Sequence, residues 1–109
     1  MAKYEDGLDD LAAALAGSGR RQIVALLCER PASTSELADA LGLGLPGVTR
    51  HLDVLREAGV VRSSKSGRVV TYALDPESLR PMSDWIDRRR SFWTHQLDAL
   101  HDDLTQENS

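Results

Sequence analysis

Five basic side chains lie close together in this sequence and are the residues best suited to bind a polyanion: Arg50, Arg56, Arg62, Lys65 and Arg68. Together with Asp53 and Glu57 they give residues 44–72 a net charge of +3. The whole chain of 109 residues carries −4, so the remaining residues sum to −7. An acidic chain with one basic segment is typical of a protein that binds a polyanion through that segment. The alternative is a chance cluster of charges on a solvent-exposed face, which would have the same composition.

Side chains able to perform catalysis or to hold a metal are sparse. The three histidines accompany no nucleophile motif and no glycine-rich phosphate loop, so the sequence predicts that the protein is not an enzyme. His95 and His101 are six residues apart, roughly 120° around a helix, which disfavours a shared metal within one chain. A zinc site between two copies, with Asp98 or Asp102 as a further ligand, remains an alternative. We expect neither a metal nor another cofactor.

The single cysteine, Cys28, excludes an internal disulfide and a zinc finger. It lies among Ile23, Val24 and Leu27, so we expect a small buried core residue, with a thiol sensor as the alternative. Composition is 41% hydrophobic and 28% charged, as in globular domains. Neither an apolar run of about 20 residues nor a signal-peptide pattern is found. These observations predict a single cytoplasmic domain over residues 1–109 that is not embedded in a membrane.

The periodicity of the apolar residues predicts four helices within residues 8–59. Leucines at 8, 11 and 15 share one helical stripe in residues 8–16, and a second helix follows over residues 20–30 until Pro31 ends it. Ser33 and Glu36 have the spacing of a capping box and open a short helix that ends at Gly42. The next helix begins after Gly44 and ends at Gly59. Its apolar stripe of Val48, Leu52 and Leu55 leaves the opposite, polar face outward.

After Gly59 the spacing of the apolar residues changes from the 3.6-residue period of a helix to the two-residue period of a strand. Residues 60–64 and 68–74 alternate as two strands around the loop Lys65-Ser66-Gly67, which predicts a β-hairpin. Residues 76–104 are predicted to form one long amphipathic helix, whose stripe of leucine, tryptophan and isoleucine is too long for so small a domain to bury. We expect this helix to contact a second copy of the chain, although it can also fold back on its own domain.

Two short helices joined by a tight turn and followed by a hairpin indicate a mainly α fold, the winged helix-turn-helix, with the helix-turn-helix at 33–59 and the wing at 60–74. Four stretches carry a resemblance to one family: STSELADALG from Ser33, LPGVTRHLDVLREAGVV from Leu45, GR from Gly67 and YALDP from Tyr72. Over residues 17–75 the chain resembles the ArsR/SmtB-type winged-helix repressors. This resemblance implies a homodimeric transcriptional regulator that binds DNA through helix and wing and dimerises through its first and last helices.

The chain departs from that family in several places. Residues 35–39 lack the cysteine pair of the family's thiol metal site, which assigns the chain to the members without the usual metal sites. Many relatives have serine where Gly44 stands and a larger residue where Gly47 stands, so we expect a different sequence preference with the same docking mode.

The sequence thus predicts a sequence-specific DNA-binding regulator, a dimeric repressor of its own operon. Its alternatives are a dimeric interaction module with a degenerate helix-turn-helix, or a metal- or thiol-responsive sensor of the same family. The expected partners are double-stranded DNA and a second copy.

For His51 we favour a structural hydrogen bond, and for Arg88, Arg89 and Arg90 a solvated face. Candidate DNA contacts are Pro46, Gly47, Thr49, Arg50, His51, Asp53, Lys65 and Arg68. Candidate dimer contacts are Leu8, Leu11, Leu15, Met82, Ile86, Trp93, Leu97 and Leu100.

Overall fold

The computed structural model describes the backbone of residues 2–107 and the side chains of residues 7–106. Six α-helices and a small sheet follow one another in the order α1 (Ala2–Leu15), α2 (Ser18–Glu29), β1 (Ala32–Ser33), α3 (Thr34–Leu41), α4 (Leu45–Glu57), β2 (Val61–Ser66), β3 (Val69–Leu74), a 3₁₀ turn (Pro76–Leu79), α5 (Arg80–Arg88) and α6 (Arg90–Glu107). None of the helices in this part of the chain is long and apolar enough to cross a bilayer.

The first two helices meet at a corner held by two arginines. Arg20 donates from Nε to the carbonyl of Ala14 at 2.6 Å, and Arg21 donates from Nη1 to the carbonyl of Leu15 at 2.7 Å. These carbonyls are among the last of α1 and lack partners within the helix. The arginines therefore cap α1 from the start of α2.

The helix-turn-helix forms as the sequence predicts. Ser33 Oγ accepts from the Glu36 backbone N–H at 3.2 Å, and Glu36 Oε1 accepts from the Ser33 N–H at 2.9 Å, which confirms the capping box. The hydrogen bond from the Ser33 backbone also holds the pKa of Glu36 below its ordinary value. Gly42 ends α3 in the left-handed region at φ 65°, which glycine adopts without strain.

Side chains from every element up to β3 build one core. Its fully buried members include Leu11, Ile23, Leu37, Val48, Leu52, Leu55 and Val60. The predicted apolar stripe of α4 is thus confirmed, because Val48, Leu52 and Leu55 are all completely enclosed. Burying three such side chains fixes which face of α4 remains outside.

The wing differs from its prediction in two respects. Lys65 and Ser66 belong to β2, where they pair with Val70 and Val69, so the loop contains only Gly67 and Arg68. Gly67 has φ 63° and Arg68 does not have a positive φ, as in a type II′ hairpin turn. A third strand, β1, which the sequence analysis did not predict, pairs Ala32 with Tyr72 and gives the antiparallel order β1-β3-β2.

The single long helix predicted over residues 76–104 is wrong. Pro76 opens a 3₁₀ turn capped by Asp75, whose Oδ1 accepts from the Glu77 N–H at 3.1 Å. A second break separates α5 from α6 at Arg89, at φ −109° and ψ 2°. There Arg89 Nη1 donates to the Trp85 carbonyl at 3.0 Å. The Arg89 backbone N–H donates to the Ile86 carbonyl, three residues back, also at 3.0 Å. Because the side chain binds the carbonyl that the backbone N–H would take in a continuous α-helix, the helix is interrupted at this residue.

Candidate nucleic-acid interface

The outer face of α4 carries most of the predicted DNA contacts. Pro46, Gly47, Thr49, Arg50 and Asp53 are all exposed. They surround the buried stripe on the side that the 3.6-residue period predicts. These side chains are therefore accessible to a ligand that approaches α4 from solvent.

Two glycines flank Leu45 and Pro46 at the start of α4. Gly44 is the N-cap in an extended conformation and provides no side-chain hydrogen bond, unlike Ser33 at the start of α3. Pro46 lies in the first turn, where a missing N–H is tolerated. A Cβ built on Gly47 would have no heavy atom within 4 Å. At Gly44 and Gly47 the start of α4 thus presents bare backbone to solvent, beside the exposed side chains of Leu45 and Pro46.

The charges of α4 are unequally paired. Arg56 approaches Asp53 at 3.9 Å, with both side chains more than half exposed, which makes a weak surface ion pair. Arg50 forms no ion pair with any residue in the described ranges. Its guanidinium is therefore available for a ligand without the loss of an intramolecular partner.

The wing extends the exposed basic surface. Residues 62–69 are all exposed, from Arg62 through Lys65 and Arg68 to Val69. Among described residues, neither Lys65 nor Arg68 forms an ion pair. Arg62 was not among the predicted contacts, although it belonged to the basic segment. The alternation of residues along a strand does not predict whether the Arg62 side chain is exposed. Because the structure shows that it is exposed, we add Arg62 to the candidate surface.

His51 lies apart from this surface. Its ring is half-buried against the start of α2, where its Nε2 would stand 2.7 Å from a Cβ on Gly19. The buried Nδ1 has no hydrogen-bond partner among the described residues, so the expected structural hydrogen bond is wrong for this atom. Because the ring packs on α2, we no longer place His51 with the candidate DNA contacts.

The structure contradicts the prediction for Cys28, whereas Arg88, Arg89 and Arg90 are all exposed, as predicted. Cys28 is exposed on α2, so its expected place in the core is wrong. In the arginine run, Arg89 stacks 4.1 Å above the centre of the Trp85 ring, and Arg90 pairs with Asp87 at 2.8 Å. No group of three or more histidine, cysteine or acidic side chains in the described part of the chain could hold a metal ion.

A second exposed surface follows α5 and α6. It consists of large apolar side chains at helical spacing, each between two-fifths and two-thirds exposed: Trp85, Ile86, Phe92, Trp93, Leu97, Leu100 and Leu104. Leu15 and Met82 flank it, lining an apolar groove of about 390 Å³ between α1, α2 and α5. Leu8 is half-buried. Leu11 is only 1% exposed and belongs to the protomer's own core, so its predicted place in a dimer interface is wrong.

Comparison with known proteins identifies the family. The bacterial regulatory protein family arsR matches residues 17–63. The chain is 39% identical over 84 residues to the HTH-type transcriptional regulator Rv2034 of Mycobacterium tuberculosis, covering 77% of this chain and 76% of Rv2034. The chain belongs to the ArsR family. An ArsR-like transcriptional regulator from Rhodococcus sp. RHA1 has the same fold, with a TM-score of 0.73 and 28% identity over 92% of this chain and 93% of that one.

A solved structure of a possible ArsR-family regulator is a homodimer. The homodimeric winged helix-turn-helix DNA-binding domain of Mb0332 from Mycobacterium bovis matches with a TM-score of 0.66 and 26% identity, covering 90% of this chain and 82% of that one. The predicted winged helix-turn-helix fold and the predicted class of DNA-binding transcriptional regulator are confirmed. The family and these named relatives are regulators of transcription.

Proposed function

We propose that this ArsR-family chain is a homodimeric, sequence-specific repressor that inserts α4 of each protomer into the DNA major groove. One observation carries the proposal: Arg50 on α4 and the basic side chains of the wing are exposed and form no ion pair among the described residues, within a chain of net charge −4. A duplex is attracted to that surface and repelled by the acidic remainder. The dimer occludes promoter DNA when it binds, and its own operon is the first target to examine.

Arg50 and Thr49 are the proposed base readers. Arg50 lies in the second turn of α4, and its guanidinium forms no ion pair with the residues that the structure describes. Such a group can donate two parallel hydrogen bonds to O6 and N7 of guanine. Thr49 adds a hydroxyl for hydrogen bonding and a methyl that suits thymine. These contacts supply preference for sequence.

Lys65 and Arg68 are the proposed phosphate contacts, with Arg62 beside them on the wing. They lie on a two-stranded projection whose loop is two residues long. A flexible ammonium or guanidinium there neutralises phosphate without distinguishing bases. The wing therefore contributes affinity and salt dependence more than specificity.

The second copy is proposed to cover the apolar surface of α5 and α6. The radius of gyration is 18.4 Å, whereas a compact domain of this length has about 13 Å. The excess arises because α6 extends from the core with its apolar side chains uncovered, among them Leu97 at 64% exposure. An apolar stripe of this length in a monomer would promote aggregation, and a two-fold partner would bury it.

A two-fold dimer places its two α4 helices on one face of the duplex. We therefore expect an imperfect palindrome with half-sites about 10 bp apart, or a multiple of that spacing. Selection of duplexes by the full-length protein from a randomised library would recover this operator. A library that returns no palindromic consensus would contradict a two-fold reader.

Two arginine variants separate reading from phosphate binding. Arg50→Ala should weaken binding to the selected duplex by about 1–3 kcal/mol and relax one base pair in each half-site. Arg68→Ala should weaken selected and random duplexes alike and make the salt slope shallower by about 1 per contact. Arg80→Ala is the charge-matched control. Arg80 is exposed and pairs with Glu77, and it follows β3 in the chain, outside α4 and the wing.

Each result has a clear consequence. Equal weakening of both duplexes by Arg50→Ala would make Arg50 a phosphate contact and refute its role as a reader. Failure of the wild-type protein to retain any duplex at low salt would refute DNA binding and favour an interaction module with a degenerate helix-turn-helix.

A further inference from the structure

Gly47 occupies a helical position where the fold gives no reason for a glycine. It is the third residue of α4, its φ is not positive, and a Cβ there would meet nothing within 4 Å. Neither backbone strain nor steric crowding inside the protomer therefore demands a missing side chain. Since glycine is the poorest helix former after proline, its presence weakens the helix that reads DNA.

Four of the chain's other glycines have a reason within the protomer, whereas Gly7 on α1 resembles Gly47 in having ordinary space for a Cβ but lies outside the basic face of α4. Gly42, Gly59 and Gly67 have positive φ, and Gly19 faces a ring that leaves no room for a methyl group. Each of these has a reason within the protomer. At Gly47 the empty space lies outside the protein, on the exposed face next to Thr49 and Arg50.

Taking the proposed DNA-binding function as its basis, we propose that Gly47 is a specificity-determining position at which the backbone of α4 lies directly against the edge of a base pair. A helix without a side chain at this point enters the groove more deeply than a helix with one. Close approach of backbone to a ligand is one of the few uses that offset the cost of glycine in a helix. The added depth brings Arg50, one turn further along, within reach of its base.

This proposal predicts that stability and operator affinity change in opposite directions. Gly47→Ala should raise the melting temperature by about 2–6 °C, because alanine favours the helix and the methyl group meets no neighbour. The same methyl group should lower affinity for the selected duplex by about tenfold, the scale of overpacking at a tight contact. Random duplex, which is bound through phosphates without deep insertion, should lose less than about twofold.

Gly47→Leu and Gly7→Ala complete the experiment. The leucine variant has room to fold and should lose operator affinity further, so the loss should grow with side-chain size. Gly7→Ala is the matched control: it is a helical glycine on α1 whose Cβ would stand at an ordinary 3.9 Å from Pro81. It should raise the melting temperature without changing affinity, with the oligomeric state checked by sedimentation.

The outcomes separate this inference from the proposed function. Wild-type protein that binds no duplex overturns both. Wild-type protein that binds while Gly47→Ala keeps or gains operator affinity overturns only the role of Gly47. Equal loss on selected and random duplexes also overturns it, because a phosphate contact would then explain the glycine.

Discussion

Replacement of Gly19 by alanine should destabilise the protein, although the same change favours a helix at an unhindered site. Gly19 lies in the first turn of α2, and its missing side chain is replaced by the ring of His51 from α4. A methyl group there would stand 2.7 Å from Nε2, 3.2 Å from Cδ2 and 3.3 Å from Cε1. Three ring atoms thus meet the new group, so the ring or α4 must shift to make room for it.

The magnitude follows from two opposing effects. Alanine in place of glycine favours α2 by about 0.5–1 kcal/mol. Overpacking against a half-buried ring costs about 1–3 kcal/mol, because either the ring or α4 must move. We expect a net loss near 1 kcal/mol, or a fall of about 4–8 °C in melting temperature for a domain of this size.

A double-mutant cycle tests the steric cause. Urea denaturation at fixed protein concentration would compare Gly19→Ala in the wild-type background with Gly19→Ala in a His51→Ala background. Without the ring, only the helix preference remains, so the change should stabilise the protein, and the coupling between the sites should be about 1–3 kcal/mol. If Gly19→Ala has the same effect in both backgrounds, the close approach of α2 and α4 does not explain the glycine.

Three further predictions concern metal, assembly and pH. Affinity for the selected duplex should change less than about twofold with a chelator or added zinc, and a tenfold change would restore the zinc site between protomers. Leu97→Asp should give a folded monomer by sedimentation whereas Gln96→Asp stays dimeric, and a dimeric Leu97→Asp would refute the α6 interface. The pKa of Glu36 is lower in the folded protein than its ordinary 4.5, so its carboxylate stabilises the fold above that pH and ceases to do so as the pH falls through the folded value. The melting temperatures of wild type and Glu36→Gln should therefore differ near neutral pH and converge as the pH falls through the lowered pKa of Glu36, and a constant difference would contradict the capping contribution.

The elements that sequence reasoning predicted well are those in which local chemistry and periodicity agree. The capping box of Ser33 and Glu36, the stop at Gly42 and the stripe of α4 all depend on residues within one or two turns. Local hydrogen bonding and the 3.6-residue period determine such features before any tertiary contact forms. For this reason the exposed face of α4 was also assigned correctly.

The errors occur where a contact outside the periodic pattern decides the outcome. The helix break at Arg89 depends on a side-chain hydrogen bond to the Trp85 carbonyl, which an apolar stripe does not report. Cys28 shares its helix with buried residues but lies on the other side of α2. Leu11 matches the dimer stripe in spacing, yet the core of its own protomer encloses it. Spacing identifies a face but not the element that covers it.

The same distinction governs which basic residues can bind DNA. A count of charges treats all arginines alike, whereas several of those described already serve the protomer. Arg20 and Arg21 cap α1 through backbone carbonyls, and Arg89 stacks on a tryptophan at the helix break. Binding a phosphate with any of these would break an intramolecular contact and lower the net gain. Arg50 and Arg68 have no such contact among the described residues, so binding DNA through them costs only side-chain freedom and desolvation. The candidate interface is therefore defined by where arginines remain unengaged, and it coincides with the two elements that the winged fold presents to a duplex.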